Sequence, residues 1–228
     1  FNGSYNQQFD TLATSGSANA WTNGETIQGW YLFKSDLSAV STYRADSGTA
    51  NNGAFYSYGS SGATERALGG VGSGSFEGFM ALAATNATTA TINTLNLRFD
   101  GEQWRNGGNT SIHAMKLEYG IGDSFANVTT WTAAGASFNW SSVVNEATAA
   151  AVDGNGAGRV ADVGGTLSNL GWTPGATLWL RWVETNDAGS DHGLAIDNVR
   201  LSTGGSSPGV FTPPAGTTSG SSDASTAI

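Results

Sequence analysis

Cysteine is absent from this chain of 228 residues, and charged side chains make up only 12% of it. Without cysteine, neither a disulfide framework nor a thiolate-ligated zinc site can form. Lys and Arg number 9 against 18 Asp and Glu, which gives a net charge of -9. Because such a surface repels phosphate groups, the sequence predicts neither a nucleic-acid partner nor binding to an anionic membrane surface.

The sequence also lacks an apolar run of the roughly 18 residues that a membrane-spanning helix needs, so we expect no membrane span. It begins FNGSYNQQ, without methionine or a basic segment, which we interpret as the terminus left after removal of a signal peptide. Its 33 glycines and many Ser, Thr and Asn residues form a surface with little Lys or Glu. This composition is typical of secreted bacterial proteins, so we expect an extracellular or cell-surface location.

Alternation of apolar and polar residues with a period of two predicts β-strands along most of the chain. Met115, Leu117 and Tyr119 fall on one face of such a strand, whereas Lys116 and Glu118 fall on the other. Further strand candidates are QQFDTLA, GWYLFKS, GAFYSYGS, GSFEGFMALAA, TINTLNLRFD, TLWLRWVE and GLAIDNVRLS. Short strands separated by Gly-rich turns, without alternating helices, predict an all-β fold of the antiparallel β-sandwich or jelly-roll type.

At most one short helix is expected, and its candidate is SSVVNEATAAAV, residues 141–152. No internal repeat divides the sequence, so we predict one domain over residues 1–203. Residues 204–228 are rich in Gly, Ser, Thr and Pro, which predicts a tail without a core of its own. Such a tail becomes ordered when its own domain or a neighbouring molecule holds it, which favours an assembly.

Acidic side chains are concentrated around the predicted last strand, in SDHGLAIDNVRLS, residues 190–202. Asp187, Asp191 and Asp197, with Asp10 near the start of the chain, are hard oxygen ligands of the type that Ca²⁺ takes from loops and strand ends. Their spacing is not that of an EF-hand loop. The alternative, in which these carboxylates bond turn amides or pair with nearby arginines, therefore stays open.

The terminal AIDNVRL, together with the early FDTL, resembles the ends of MAM domains and of calcium-binding jelly-roll carbohydrate-binding modules. The resemblance implies that the first and last strands lie side by side, and that Asp10 and Asp197 contribute to a structural calcium site. Asp10 stands where these families more often have Glu, and the MAM cysteines are missing. A second resemblance is to an uncharacterised β-sandwich domain of secreted bacterial surface proteins, and it implies no established activity. The segments that carry it are FDTLA through GWYLF, ERALG, GEQWRNGG and SDHGLAID.

The segment GEQWRNGGN, residues 101–109, is predicted to be a ligand-binding loop. Trp104 could stack on a sugar ring or on a partner surface, with Arg105 as a hydrogen-bonding fork. The alternative is a tryptophan folded back over the sheet edge, with Arg105 paired to Glu102. The chain has 8 tryptophans, and some of them must belong to the core.

The sequence contains few residues that could act in catalysis. Only His113 and His192 are available as histidine bases, and no GxSxG elbow is present. His192 beside Asp191 is a candidate acid–base pair, although a histidine in an Asp/Gly-rich turn is commonly only a turn residue. Nothing orders the glutamates as the facing pair that glycoside cleavage needs. We therefore expect no enzymatic activity.

Three functional classes fit these observations. We favour a secreted structural subunit that self-assembles with copies of itself into an extracellular filament, sheath or surface layer, through strand or tail exchange. The alternative is a calcium-stabilised carbohydrate-binding or adhesive module with a polysaccharide partner, which needs exposed aromatic side chains in line. A hydrolase is the third class, and it requires a concave site where His192 or two carboxylates converge.

Overall fold

The computed structural model of the protein describes residues 1–204. Within these residues two β-sheets pack face to face, and there is no α-helix. The prediction of an all-β antiparallel sandwich is confirmed. The predicted tail, apart from Gly204, lies outside the described residues. No helix in the described part of the chain is long and apolar enough to cross a membrane.

The larger sheet contains nine strands. They are β1 (Ser4–Gln7), β2 (Asn19–Ala20), β4 (Thr42–Asp46), β5 (Ala54–Tyr58), β6 (Ala67–Val71), β8 (Leu95–Asn106), β12 (Ala150–Ala151), β13 (Arg159–Leu167) and β15 (Gly193–Ser202). Their order is β12-β8-β15-β6-β5-β4-β2, with β1 paired to β15 and β13 paired to β8. Every pairing is antiparallel except that of β4 with β5, which is parallel. The two longest strands, β8 and β15, are therefore neighbours inside the sheet.

The smaller sheet contains six strands. They are β3 (Trp30–Lys34), β7 (Gly78–Thr85), β9 (Ala114–Ile121), β10 (Thr132–Ala133), β11 (Trp140–Ser141) and β14 (Thr177–Glu184). Their order is β10-β9-β14-β7-β3, with β11 paired to β9. Two short 3₁₀ turns, at Phe125–Asn127 and Ala136–Phe138, flank β10.

Large aromatic and aliphatic side chains from both sheets fill the space between them. Along β14 the inward positions Leu178, Leu180 and Trp182 are fully buried, as the period of two predicts. The Trp182 ring stacks on Trp30 of β3 at a centroid distance of 5.4 Å and meets the edge of Phe99 of β8 at 5.5 Å. Such aromatic pairs each stabilise the core by about 0.5–1.5 kcal/mol beyond the area they bury.

The first and last strands lie side by side, as the resemblance implies. β1 pairs with β15 from Ser4–Ser202 to Gln7–Val199. The predicted strand QQFDTLA is misplaced, because β1 ends where that segment begins and FDTL forms a turn. Phe9 has a φ of 58°, and the Leu12 N–H donates to the Phe9 carbonyl over 2.9 Å.

The predicted helix over residues 141–152 is absent, because side chains of β8 hold most of this segment in an irregular conformation. Gln103 Oε1 accepts the backbone N–H groups of Val143 and Val144, each over 2.8 Å. Asn106 Nδ2 donates to two more carbonyl groups of the same segment, those of residues 146 and 148. The segment ends as β12 beside β8. Tertiary hydrogen bonds thus override the helical propensity of its alanines.

The prediction of a loop at GEQWRNGGN is also wrong for its first six residues, because they continue strand β8. This part of β8 pairs with β15 on one side and with β12 and β13 on the other. Gly101 is required within it, because a Cβ there would lie 2.3 Å from the Trp140 ring. A glycine that the sequence places in a loop therefore marks close packing inside a strand.

We expect Gly101→Ala to destabilise the protein by about 1–3 kcal/mol, because the added methyl group overlaps the Trp140 ring. Urea unfolding followed by far-UV circular dichroism measures this change. Gly74→Ala is the matched control, since a Cβ at Gly74 meets nothing within 4 Å. Equal unfolding midpoints for the two variants would contradict the packing described above.

Candidate functional site

Three carboxylates converge on the larger sheet. Glu102 belongs to β8, Asp197 belongs to the adjacent β15, and Glu65 lies just before β6. One oxygen from each lies within 4.8 Å of the others. Glu102 is 0% exposed and Asp197 is 3% exposed, whereas Glu65 is half-buried. We call these three residues the acidic cluster.

Each carboxylate of the acidic cluster has one hydrogen-bonded oxygen and one without a partner. Glu102 Oε2 accepts from Trp104 Nε1 over 2.9 Å, and Asp197 Oδ2 accepts from Asn198 Nδ2 over 2.8 Å. Glu65 is held in the same way by the amide of residue 155. The remaining oxygens, Glu65 Oε1, Glu102 Oε1 and Asp197 Oδ1, are inaccessible and form no hydrogen bond within the described residues. Unsatisfied buried oxygens of this kind are costly.

Burial makes the acidic cluster hard to ionise. It raises the pKa of Glu102 to about 8, with further increases from the charges of Glu65 and Asp100. Burial, followed by the charges of Glu102 and Glu65, raises the pKa of Asp197 to about 9. A divalent cation would offset both the repulsion and the desolvation. Because carboxylate oxygens are the ligands that Ca²⁺ prefers, the three residues fit this ion.

The four aspartates predicted to bind metal do not form one site. Asp197 belongs to the acidic cluster, and the charge of Asp10 reaches it as one cause of its raised pKa. Asp10 itself is exposed, and its Oδ1 accepts the Arg66 N–H over 3.0 Å, so it lies at the edge of the cluster. Asp187 and Asp191 lie elsewhere, beside His113.

The second group adds His113 to Asp187 and Asp191, a histidine that the sequence did not connect with these aspartates. His113 Nδ1 lies 3.4 Å from Asp187 Oδ2 and 3.7 Å from Asp191 Oδ1. Asp191 Oδ1 also accepts the Asp187 N–H over 2.7 Å. The Nε2 atom of His113 lies 3.1 Å from Asn109 Nδ2. These contacts fix the segment before β15 against the segment before β9.

His192, the candidate acid or base, has both ring nitrogens engaged by backbone groups. Its Nδ1 accepts the Gly107 N–H over 2.9 Å, and its Nε2 lies 3.2 Å from the Ser111 carbonyl. This pattern places the proton on Nε2. Burial, and then the neighbouring His113, lower the pKa of His192. The ring thus ties two segments together.

Of the predicted ligand-binding residues Trp104, Arg105 and Glu102, none forms an exposed platform. Trp104 is only 1% exposed, and its ring is covered by Gly154, where a Cβ would lie 2.3 Å from the indole. Glu102 belongs to the acidic cluster and does not pair with Arg105. Arg105 Nη1 instead donates to the carbonyls of residues 48 and 49.

The larger sheet contains a row of three parallel rings that does not reach solvent. Tyr56 and Tyr58 stack at 4.9 Å, and Tyr58 lies 6.2 Å from Trp104 with an interplanar angle of 3°. All three are buried. A ligand cannot stack on this row while its covering segments are in place.

The outer surface of the smaller sheet collects half-exposed aromatic side chains, namely Tyr31 and Phe33 of β3, Phe79 of β7, and Trp131 before β10. We call these four residues the aromatic face. The alternation that buries the inward residues of β3 turns Tyr31 and Phe33 outward, with their rings parallel at 6.0 Å. Phe125 packs among them and stacks on Phe33 at 4.3 Å.

Arg181 of β14 organises the aromatic face. Its guanidinium carbon lies 3.9 Å from the Trp131 ring centroid and 4.4 Å from that of Phe79. Its Nη2 and Nε bind Glu118 Oε2 over 2.6 and 2.7 Å. Trp131 is the one tryptophan of the eight that is not buried. Alternation in the sequence could identify the outward positions on β3, β7 and β14. It could not show that the aromatic side chains of β3 and β7 lie next to Trp131 and Arg181.

No protein-family model matches the chain, and a search of curated proteins found no match. Among solved structures, the K3 adhesin domain of Lys-gingipain from Porphyromonas gingivalis is 10% identical, with 87% of this chain and 97% of that one covered and a TM-score of 0.46. A family 11 carbohydrate-binding module from Clostridium thermocellum is 10% identical, with coverages of 82% and 96% and a TM-score of 0.35. The galactotriose complex of TmCBM61 is 13% identical, with coverages of 81% and 98% and a TM-score of 0.34. Similarity at this level does not identify a ligand.

In the presence of a chelator, we expect stability to fall with rising pH. The ordinary pKa values of Glu102 and Asp197 are 4.5 and 3.8, and the folded chain raises them to about 8 and about 9. The folded state therefore binds more protons than the unfolded state between these limits, so deprotonation costs stability. Urea unfolding between about pH 5 and pH 9 measures the slope.

Glu102→Gln keeps the shape of the side chain and removes one titrating group. We expect this variant to show a shallower loss of stability over the same pH range. A wild-type slope of the opposite sign, or identical slopes for the two proteins, would contradict the electrostatics of the acidic cluster.

Proposed function

We propose that this chain is a non-catalytic, calcium-stabilised carbohydrate-binding or adhesive module that acts outside the cell or at its surface. The observation that carries the proposal is the aromatic face, where four half-exposed rings lie on one side of the smaller sheet. Sugar rings present flat patches of C–H groups, which pack on aromatic side chains. A group of several such rings suits a chain of sugars better than a single small molecule.

Polar groups beside the aromatic face supply hydrogen bonds for sugar hydroxyl groups. Arg181 is held by Glu118 and lies against Trp131 and Phe79, so its position is fixed before a ligand arrives. Binding then costs little side-chain entropy, which is the advantage of a pre-organised site. Tyr31 adds a phenol group at the edge of the same surface.

Calcium in this proposal has a structural role in the acidic cluster. Glu102, Asp197 and Glu65 would supply the ligands, and the ion would neutralise their mutual repulsion. It would link β8, β15 and the segment before β6, which are far apart in sequence. Asp10 lies close enough to add to the negative field around the ion.

The absence of catalysis is part of the proposal. Both ring nitrogens of His192 are engaged with backbone groups, which leaves this ring unsuited to proton transfer with a substrate. Glu102 and Asp197 are buried, so a glycosidic bond cannot reach them. The converging carboxylates are better suited to an ion than to hydrolysis.

Self-assembly, the function favoured by the sequence, stays a prediction with less support. The outer edge of β3 is covered by the chain's own residues, because Lys34 N donates to Ser38 O over 2.9 Å and Val40 N donates to Leu32 O over 3.1 Å. Strand addition at that edge would have to displace this segment. Exchange of the tail concerns residues outside the described part of the chain.

Added Ca²⁺ should raise the melting temperature of the chelator-treated protein, because the folded state binds the ion and the unfolded chain does not. We expect Asp197→Asn to abolish this stabilisation. Asp187→Asn is the matched control, since it removes an aspartate of the His113 group and should leave the calcium response intact. A response lost in Asp187→Asn and kept in Asp197→Asn would place the ion at the other group.

The aromatic face should account for binding to polysaccharide. On an array of soluble and insoluble polysaccharides, we expect the wild type to bind at least one, and Tyr31→Ala and Trp131→Ala each to weaken that binding roughly fivefold or more, since one ring contact contributes about 1 kcal/mol. Ile112→Ala is the control, because Ile112 is highly exposed and lies outside the aromatic face. No binding by the wild type, or unchanged binding by both ring variants, would contradict the proposal.

A further inference from the structure

A polar cleft of about 220 Å³ lies where the end of β8 meets the segments that follow β4 and β6 and precede β15. Its lining residues with polar side chains are Asn51, Ser73, Arg105, Asn186, Ser190 and Asp191. Val71 and four glycines, at positions 72, 74, 107 and 189, complete the wall. Sites for drug-sized ligands usually measure about 300–1,000 Å³, so this cleft suits a group the size of one sugar unit.

Arg105 is the one cationic side chain in the lining, and it is nine-tenths buried, with 9% exposure. Its Nη1 donates to the carbonyls of Gly48 and Thr49 over 3.2 and 2.9 Å. Its Nε is inaccessible and has no hydrogen-bond partner among residues 1–204. The arginine ion pairs within the described chain involve residues 98, 159, 181 and 200, and not Arg105.

A guanidinium that is nine-tenths buried and has no carboxylate partner is costly, because two carbonyl groups compensate its charge only in part. An anion in the cleft would provide that compensation. The planar fork of arginine matches the two oxygens of a carboxylate, and charge-assisted hydrogen bonds of this type are about twice as strong as neutral ones. The chemistry of Arg105 therefore points to a carboxylate ligand.

The rest of the lining restricts which carboxylate compound fits. Ser73, Ser190 and Asn51 offer hydroxyl and amide groups, and Asp191 offers carboxylate oxygens that accept from hydroxyl groups. Asp191 repels any anion, but it repels an ion with two negative charges, such as phosphate or sulfate, about twice as strongly as a single carboxylate. A single carboxylate surrounded by hydroxyl groups meets both conditions.

We propose that this cleft binds a uronic acid unit of an acidic polysaccharide, with its carboxylate on Arg105 and its hydroxyl groups on the serine, asparagine and Asp191 side chains. The cleft is separate from the aromatic face, which lies on the smaller sheet. The proposal therefore holds whether or not the aromatic face binds neutral sugars. Arg105 thus keeps the binding role that the sequence predicted, but Trp104, which was predicted to stack on the ligand, takes no part.

Isothermal titration of the full chain with galacturonic acid oligomers tests the proposal, with galactose oligomers of the same length as the uncharged comparison. We expect the acidic oligomers to bind at least tenfold more tightly and to lose affinity as salt is added. Arg105→Gln should abolish this binding, whereas Arg98→Gln, which changes a surface arginine outside the cleft, should preserve it.

Arg105→Gln also removes two hydrogen bonds to the segment after β4, so a second variant guards against loss of the fold. Ser190→Trp leaves Arg105 in place and obstructs the cleft from an exposed position. Circular dichroism verifies that each variant is folded. Tyr31→Ala should not change uronate binding, which separates this site from the aromatic face.

Four results would overturn the proposal. The first two are that the wild type does not bind the acidic oligomers, or that it binds acidic and neutral oligomers with equal affinity. The third is that a folded Arg105→Gln or Ser190→Trp variant binds the acidic oligomers as the wild type does. The fourth is that the wild type binds a short acidic peptide as tightly as the acidic oligomers. The last result would retain a carboxylate site but exclude its assignment to a sugar.

Discussion

Three converging carboxylates, two of them buried, form the interaction on which the rest of this structure depends. Glu65, Glu102 and Asp197 come from separate parts of the chain, and the sandwich brings them within 4.8 Å of one another. Their charges repel, and burial removes the solvent that would screen them. The fold therefore needs either protons or a cation at this point. In the proposed function a divalent cation would satisfy all three groups and would join the two longest strands to the segment before β6.

In the proposed function, the two sheets divide structural and binding roles. On the larger sheet, the parallel rings of Tyr56, Tyr58 and Trp104 are covered by neighbouring segments, and the Trp104 indole donates to Glu102 of the acidic cluster. Aromatic surface is thus used there for stability. On the smaller sheet, the rings around Arg181 remain half-exposed and suited to a ligand. The cleft at Arg105 would add a second, polar binding site at the end of the larger sheet.

Periodicity predicts most of this fold because alternation records directly which side of a strand is buried. β3, β7, β9, β14 and β15 all lie in segments identified in this way. The extent of β8 and the irregular conformation of residues 141–152 could not be predicted, since they depend on hydrogen bonds between the side chains of Gln103 and Asn106 and distant backbone groups. For the site, the AIDNVRL pattern indicated Asp197, but Glu65 and Glu102 join it only through strand pairing. The register of strand pairing is set by contacts between residues far apart in the sequence, so the sequence alone does not show which residues of two strands meet.

Calorimetric titration of the chelator-treated protein with Ca²⁺ at neutral pH, in two buffers that differ in ionisation enthalpy, tests the central claim most directly. Glu102 and Asp197 have pKa values raised to about 8 and about 9, so an ion that enters the acidic cluster must displace protons. We expect one calcium ion to bind per chain with a heat that depends on the buffer. No binding, or binding with the same heat in both buffers, would contradict the account.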